Sequence, residues 1–357
     1  MKETPHTWIR PITFQGRDID VDSDVPHTIQ AVIPTLSPWE RSLLQDMVLL
    51  APEATIWESL QSGQCFMASD GSAPRMRGSF AWIMSDASGN RLARCSGPVF
   101  GYAISSYRAE GYGLLSALRF LYHMSRLHLK SSDRIITPHL VCDNKGLLAT
   151  IMRLREYTTI FPNITMEAEW DCISQILDTI RALNSLLPSL DHIKGHQDEN
   201  TPYEELPLLA QLNCDADAQA NSYLTTNPLV NHTLVHQFPA GECLLQLPQG
   251  TITRDLKHTC AETRHLPVLT EYICKKSGWA TRDVFEFIDW EAHGHALQRH
   301  GKHRTTLVKY LHNILPIGKQ VHCYNQKYPP NCPSCHADLE DIDHFWNCPA
   351  PARLRWQ

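Results

Sequence analysis

Between residues 64 and 143 the apolar residues change period twice, and that order constrains the fold more than any other feature of the chain. Three short apolar runs come first, at 64–69, 79–85 and 91–96, and Asp86-Ala-Ser-Gly-Asn90 between the last two carries the residues of a hairpin turn. From 106 to about 128 the spacing becomes helical, with Leu114, Leu115, Leu118 and Leu121 on one face. At 139–142 it returns to a wholly apolar run of strand length that ends at Asp143 and leads into a helix through 154. An amphipathic helix follows at 171–187, built on Ile173, Ile176, Leu177, Ile180 and Leu183, then a strand at 191–194 and a closing helix at 215–224. The order β-β-β-α-β-α-α-β-α predicts an α/β fold in which a mixed five-stranded sheet is covered by helices.

The flanks read differently. Residues 1–63 are broken by Pro5, Pro11, Pro26, Pro34 and Pro38. They predict an approach segment with one helix at 37–50, where Ser37, Pro38 and Glu40 have capping-box character. Pro228, Pro239 and Pro248 punctuate a linker, and helical patterns recur at 266–276, 280–297 and 305–315. The expected organisation is therefore 1–63, a sheet domain at 64–226, and a mostly helical extension at 227–357. A chain of 357 residues with 43% apolar and 20% charged content excludes wholesale disorder. The net charge of −6 does not advertise a nucleic-acid partner, although whole-chain charge can hide a local basic face. Most of the 12 cysteines are scattered, several inside apolar runs, as expected for reduced thiols. With no signal-peptide pattern at the amino terminus and no apolar run of about 18 residues, the expectation is a soluble protein of cytoplasm or nucleus.

Four carboxylates fall where this topology gathers side chains. Asp70 ends the first strand, Glu110 lies in the first turns of the long helix, Asp143 ends the fourth strand, and Asp217 opens the last helix. Such an oxygen-rich cluster suits Mg²⁺. Two ions held about 4 Å apart would activate water and stabilise the leaving oxygen of a phosphodiester. His196, just after the last strand, is placed to shuttle a proton. Each residue also has a plainer reading: Asp70 in a turn, Asp143 as a helix cap, Glu110 solvated, His196 a loop histidine. Asp215 competes with Asp217 for the fourth position; the Asn213-x-x-x-Asp217 count and the Ala-Gln-Ala that follows favour Asp217.

In sequence order, Ser69-Asp-Gly-Ser-Ala73, Ser106-Tyr-Arg-Ala-Glu110, Val141-Cys-Asp-Asn144, Ile193-Lys-Gly-His196 and Asn213-x-x-x-Asp217 resemble the successive motifs of type 1 ribonuclease H. More closely, they resemble the ribonuclease H domains of non-LTR retroelement reverse transcriptases. The resemblance covers about residues 64–226. It implies an endonuclease that cuts the RNA strand of RNA–DNA hybrids with two Mg²⁺ or Mn²⁺ ions. Asp70 and Asp143 would be central ligands, Glu110 and Asp217 would complete the two sites, and His196 would assist turnover. Gly71, Ser72 and Asn144 are placed to contact the 2′-hydroxyls that mark RNA. A reverse transcriptase of the same original polyprotein is the implied partner, and the chain reads as a piece of such a polyprotein. The alternative is a catalytically silent nucleic-acid-binding module. A DNA-cutting relative is disfavoured by the Lys-Gly-His and Asn-x-x-x-Asp elements. The acidic stretch between His196 and Asn213, with Asp198, Glu199, Glu204 and Glu205, departs from the pattern.

Near the carboxy terminus, Cys332, Cys335, His344 and Cys348 form C-x₂-C-x₈-H-x₃-C, a spacing that suits one tetrahedral Zn²⁺; the plainer reading is free thiols. His322 and Cys323 are spare candidates. Residues 292–322 contain no acid but carry Arg299, Lys302, Arg304, Lys309 and Lys319, which reads as a phosphate-contact face or as a solvated helix surface. The sequence has no aromatic-x-Asp-Asp core and no G-x-x-x-x-G-K-[ST] loop, so polymerase and NTPase activities are not expected.

Overall fold

The computed structural model describes residues 26–74, 77–101, 104–129, 135–157, 164, 167–183, 185–228, 238–239, 246–247, 250–277, 283, 287–311, 313–336 and 338–350. They divide into two units between Leu256 and Lys257. In the first unit, α1 (Ile29–Val32), α2 (Pro38–Leu44), β1 (Val48–Leu49) and α3 (Glu53–Gln61) precede the hairpins β2 (Cys65–Ser72), β3 (Ser79–Asp86) and β4 (Arg91–Pro98). Then come α4 (Ser106–His128), β5 (His139–Cys142), α5 (Lys145–Arg155), α6 (Trp170–Ala182), β6 (Ser189–His192) and α7 (Leu208–Thr226).

The sheet order is β1-β4-β3-β2-β5-β6. β1, β4, β3 and β2 pair antiparallel, and β5 and β6 continue in parallel. The expected mixed sheet of five strands is present, with β1 added at one edge. Period-two alternation then sorts the core. Met67, Trp82, Met84, Leu140 and Cys142 pack with α4, α5 and α6, while Ala68, Ile83 and Val141 pack under Leu212 and Ala216 of α7. β3 is buried along almost its whole length, which is why its sequence is nearly continuous in apolar residues. Buried polar groups tie both layers down. Trp82 Nε1 donates to Ser116 Oγ of α4 at 2.8 Å, and Ser79 Oγ donates to the Ala220 carbonyl of α7 at 2.6 Å.

Several expectations shift. The helix at 37–50 stops at Leu44 and the chain turns into β1, whose Val48 and Leu49 pair with Arg94 and Ala93. Ser37 makes no side-chain cap; Glu40 turns inward and accepts from Arg119 and His123. The segment before 64 is not a mere approach, because Ile29, Leu43, Leu44, Ile56, Trp57 and Leu60 belong to the main core. The strand at 191–194 moves to Ser189–His192, since its register is set by β5, with His139 opposite Ser189 and Cys142 opposite His192. The helix at 171–187 ends at Ala182, and Leu186 instead bridges to Ile136. The closing helix starts at Leu208, after Pro207, so the acidic stretch shortens to two 3₁₀ turns.

The cut expected near 226 lies at 256/257. Past 226, Phe238 still packs on Tyr112 and Trp39, the Pro239 carbonyl accepts from Gln175, and the Thr253 carbonyl accepts from the Glu169 amide. The second unit is mostly helical, with helices at Leu256–Ser277, Trp290–Arg299, Arg304–Leu311, Gly318–Tyr324 and Ile342–Asn347. The first of these runs straight through Pro267. The start of the helix expected at 280–297 lies outside the described residues, as do 1–25 and 351–357. No helix among the described residues is long and apolar enough to cross a membrane.

Candidate metal centre and nucleic-acid cleft

At the end of β2, Gly71 lies against the backbone of Ala109 and Glu110, so close that a Cβ at this position would overlap it. Gly113 of α4 returns the contact, with space for a Cβ only 2.9 Å from the Asp70 carbonyl. Strand and helix approach backbone to backbone, as glycine alone permits, and this sets Glu110 beside Asp70. Ser105 caps α4 by accepting from the Arg108 amide at 3.1 Å.

Arg108 then fixes the start of this helix from below. Only 3% exposed, it donates to Glu169 at 2.7 Å, to both oxygens of Asp171 at 2.9 and 2.8 Å, and to the Phe100 carbonyl at 2.6 Å. Glu169 and Asp171 stand at the start of α6, so one buried guanidinium locks two helices together. No local pattern in the sequence announces this network.

The other carboxylates arrive from separate elements. Asp143 follows β5, and the helix behind it is capped by Asn144, whose Oδ1 accepts from the Leu147 amide at 2.9 Å. Asp143 is thus not the helix cap that its position allowed. Gly195 lies directly over its carboxylate, with no room for a Cβ. His196 is exposed on the next position with φ of +50°, a left-handed backbone uncommon outside glycine.

Asp217 on α7 accepts from Asn221 Nδ2 at 2.8 Å, and Asn221 Oδ1 accepts from Ser72 Oγ at 2.6 Å, which joins α7 to the end of β2. The competing Asp215 is engaged elsewhere. Arg91 donates to it at 2.6 Å and Tyr203 Oη at 2.8 Å, so Asp215 is held by Tyr203 of the acidic stretch and by Arg91, while Asp198 of the same stretch adds its charge to the surroundings of Asp217.

Asp70, Glu110, Asp143, Asp217 and His196 all line one open cleft of about 540 Å³, together with Gly71, Ser72, Asn144 and others. Ser106, the first residue of its motif, also lines it, as do Lys145 and Asn221, which were not singled out in the sequence. The i, i+4 spacing of Asp217 and Asn221 was the available signal for the last. Asn213, the first residue of its motif, is buried and is not among the lining residues.

The carboxylates of the cleft raise one another's proton affinity. Burial, then the charges of Asp143 and Asp217, push Asp70 up to about 7. Glu110 is raised well above the usual carboxylate range by burial, then by Cys142, Asp70 and Asp143. Asp217 is raised by burial, with His196 opposing. These groups crowd like charges, which a bound proton or a bound cation relieves. The donors are carboxylate oxygens, the set that suits a hard divalent cation, and the residues present therefore fit Mg²⁺.

In the second unit, Cys332, Cys335, His344 and Cys348 bring their ligand atoms within 4.8 Å of one another. Cys332 and Cys348 sulfurs are 3.7 Å apart, and Cys335 Sγ is 3.3 Å from His344 Nε2. Burial opposes ionisation of Cys332, but the amides of Cys335 and Ser334 point at its sulfur and hold it down to about 6. Three thiols and one imidazole in this geometry fit Zn²⁺. The spare candidates stand outside the cluster: His322 bonds the Tyr328 carbonyl at 2.7 Å, and Cys323 is exposed.

No protein-family model matches the sequence, and no curated protein matches it. Among solved structures the chain is similar to RNase H1 from the halophilic archaeon Halobacterium salinarum, at 15% identity over 45% of this chain and 98% of that one, with a TM-score of 0.30. It is similar to LC11-RNase H1, solved in complex with RNA/DNA hybrid, at 14% identity over 44% of this chain and 94% of that one, with a TM-score of 0.30. The third is the PFV RNase H domain, at 13% identity over 44% and 93% of the two chains, with a TM-score of 0.33. These structural neighbours are ribonuclease H domains, and each likeness covers less than half of this chain.

Proposed function

We propose that the first unit is a metal-dependent endonuclease that hydrolyses the RNA strand of RNA–DNA hybrids. The observation that carries this reading is the convergence of Asp70, Glu110, Asp143, Asp217 and His196, supplied by five separate segments, on one open cleft. Asp70 and Asp143 would be the central ligands of two Mg²⁺ or Mn²⁺ ions, with Glu110 and Asp217 completing the set. When bound, such a pair supplies a nucleophilic water at neutral pH and charge that stabilises the leaving oxygen. The chain's own residues do the rest. Lys145, on the rim, attracts the phosphate backbone. Ser72, Asn144 and Asn221 present polar groups at the cleft for a sugar hydroxyl. His196, exposed and held in its turn, carries a proton between cleft and solvent.

In the second unit we assign one structural Zn²⁺ to Cys332, Cys335, His344 and Cys348. Arg299, Lys302, Arg304, Lys309 and Lys319 are all exposed and form a phosphate-contact face. The motif set supports an origin in a non-LTR retroelement polyprotein, with a reverse transcriptase as former neighbour and an intracellular setting.

The test uses the full chain and hybrid duplexes labelled on one strand or the other. The expected result is endonucleolytic cutting of the RNA strand in Mg²⁺, abolished by chelation, with the DNA strand intact. No cutting in Mg²⁺ or Mn²⁺ would leave a silent binding module, and equal cutting of both strands would refute the hybrid assignment.

A further inference from the structure

Cys142 places a soft sulfur donor beside two carboxylates of the cleft, Glu110 and Asp143. It is fully buried at the end of β5. Its thiol donates to Glu110 Oε2 at 3.6 Å. Ligand atoms of Glu110, Cys142 and Asp143 all lie within 4.8 Å of one another. Tetrahedral zinc, with sulfur at about 2.3 Å and a carboxylate oxygen at about 2.1 Å, sets those two donors about 3.6 Å apart. The sulfur is also dressed as a ligand is. The Asn144 amide donates to it at 3.4 Å, two residues on, and in the Cys₃His cluster the Ser334 amide donates to Cys332 Sγ at 3.4 Å with the same spacing. Such outer hydrogen bonds orient and tune a metal-bound thiolate.

We infer that Glu110, Cys142 and Asp143 form a binding site for a thiophilic divalent cation, Zn²⁺ in the first instance, at the base of the carboxylate cleft. Three protein donors leave the fourth position to water, and the thiol gives up its proton to solvent as the metal binds. Sulfur selects such ions over Mg²⁺, and a donor set of oxygen with a thiolate sulfur holds Zn²⁺ more tightly than the hard ions. Because the site takes over Glu110 and Asp143, Zn²⁺ bound there excludes the hard ions and acts as an inhibitor. The site shares two residues with the proposed nuclease centre but does not depend on its activity.

The test is cadmium NMR of the full chain titrated with isotopically enriched Cd²⁺, a probe that reports the number of sulfur ligands. Wild type is expected to give a sulfur-rich resonance from the Cys₃His cluster and a second, oxygen-rich resonance with one sulfur. Cys142→Ser and Cys142→Ala lose only the second, and Glu110→Ala, which removes a different donor, loses it as well. Absence of the second resonance in wild type, or its persistence in the Cys142 variants, overturns the proposal. A chain that cuts no hybrid yet shows that resonance would refute the ribonuclease and leave this site standing.

Discussion

Asp70→Asn is expected to lower Mg²⁺-dependent cleavage of a hybrid by about 10³-fold or more while making the metal-free protein more stable at pH 8. The loss follows from removing a central ligand, since several kcal/mol of charge stabilisation at about 1.4 kcal/mol per tenfold gives that order. The gain follows from the crowding of carboxylates. In the folded protein Asp70 holds its proton up to about 7, whereas in the unfolded chain a carboxyl gives it up near pH 3.9. Between those values the folded state binds more protons than the unfolded state, so this group's contribution to stability falls as pH rises from about 4 to about 7. Asparagine carries no charge to repel Asp143 and Asp217, and its carbonyl oxygen can still accept from the Gly71 amide as Asp70 Oδ1 does at 2.6 Å. Thermal melts in chelator should show the variant above wild type by on the order of 2 kcal/mol, or about 4–8 °C, at pH 8, with the gap closing near pH 4. A variant that melts below wild type at pH 8, or cleaves within tenfold of it, would contradict this picture of the cleft.

The largest loss of stability is expected at Arg108. Arg108→Ala removes the only guanidinium in contact with Glu169 and Asp171 among the hydrogen bonds described, and leaves Glu169, 1% exposed, as an uncompensated buried carboxyl. Breaking one side of a buried pair costs about 3–5 kcal/mol. Arg108→Lys is expected to recover little, because a point charge cannot reproduce the fork that holds both oxygens of Asp171. Urea titration of the full chain, followed through the first unit's tryptophans, measures this. The expected outcome is a lower midpoint with little change in slope; a loss under about 1 kcal/mol would show that the network contributes little to the α4–α6 junction.

The parts of the fold that were legible in the sequence are those specified locally. β2, β3 and β4 announce themselves through short apolar runs and the Asp86–Asn90 turn, where Asp86 Oδ1 accepts from the Ser88 and Asn90 amides. α4 does so through its leucines. Asp70, Glu110 and Asp143 were legible because each sits at or near the end of an element whose type could be read, whereas Asp217, expected to open its helix, lies in the middle of α7. Asp217 was separable from Asp215 by a count of four from Asn213, and the structure shows the physical ground: Asp215 answers Arg91, 124 residues away. What the sequence hid depends on contacts across long separations. β1 is two residues long and exists because β4 offers an edge. Glu40 has the spacing of a cap yet is drawn inward by Arg119 and His123, 79 and 83 residues on. Arg108 finds its partners 61 and 63 residues later. Cys142 read as one more apolar residue of a buried strand, and only the placement of Glu110 across from it gives its sulfur a chemical meaning.

The central claim is that the four carboxylates act together through divalent cations, and Asp143→Asn tests it most directly. The substitution keeps size and shape, leaves the Asn144 cap of α5 in place, and removes one charge from the middle of the cluster. Single-turnover cleavage of an RNA-labelled hybrid should be followed for wild type and variant across a Mg²⁺ titration, with equal folding of the two verified by circular dichroism. Wild type is expected to cut with a saturable Mg²⁺ dependence, and the variant to be slower by about 10³-fold or more at every Mg²⁺ concentration. Equal rates for the two proteins would contradict the central claim.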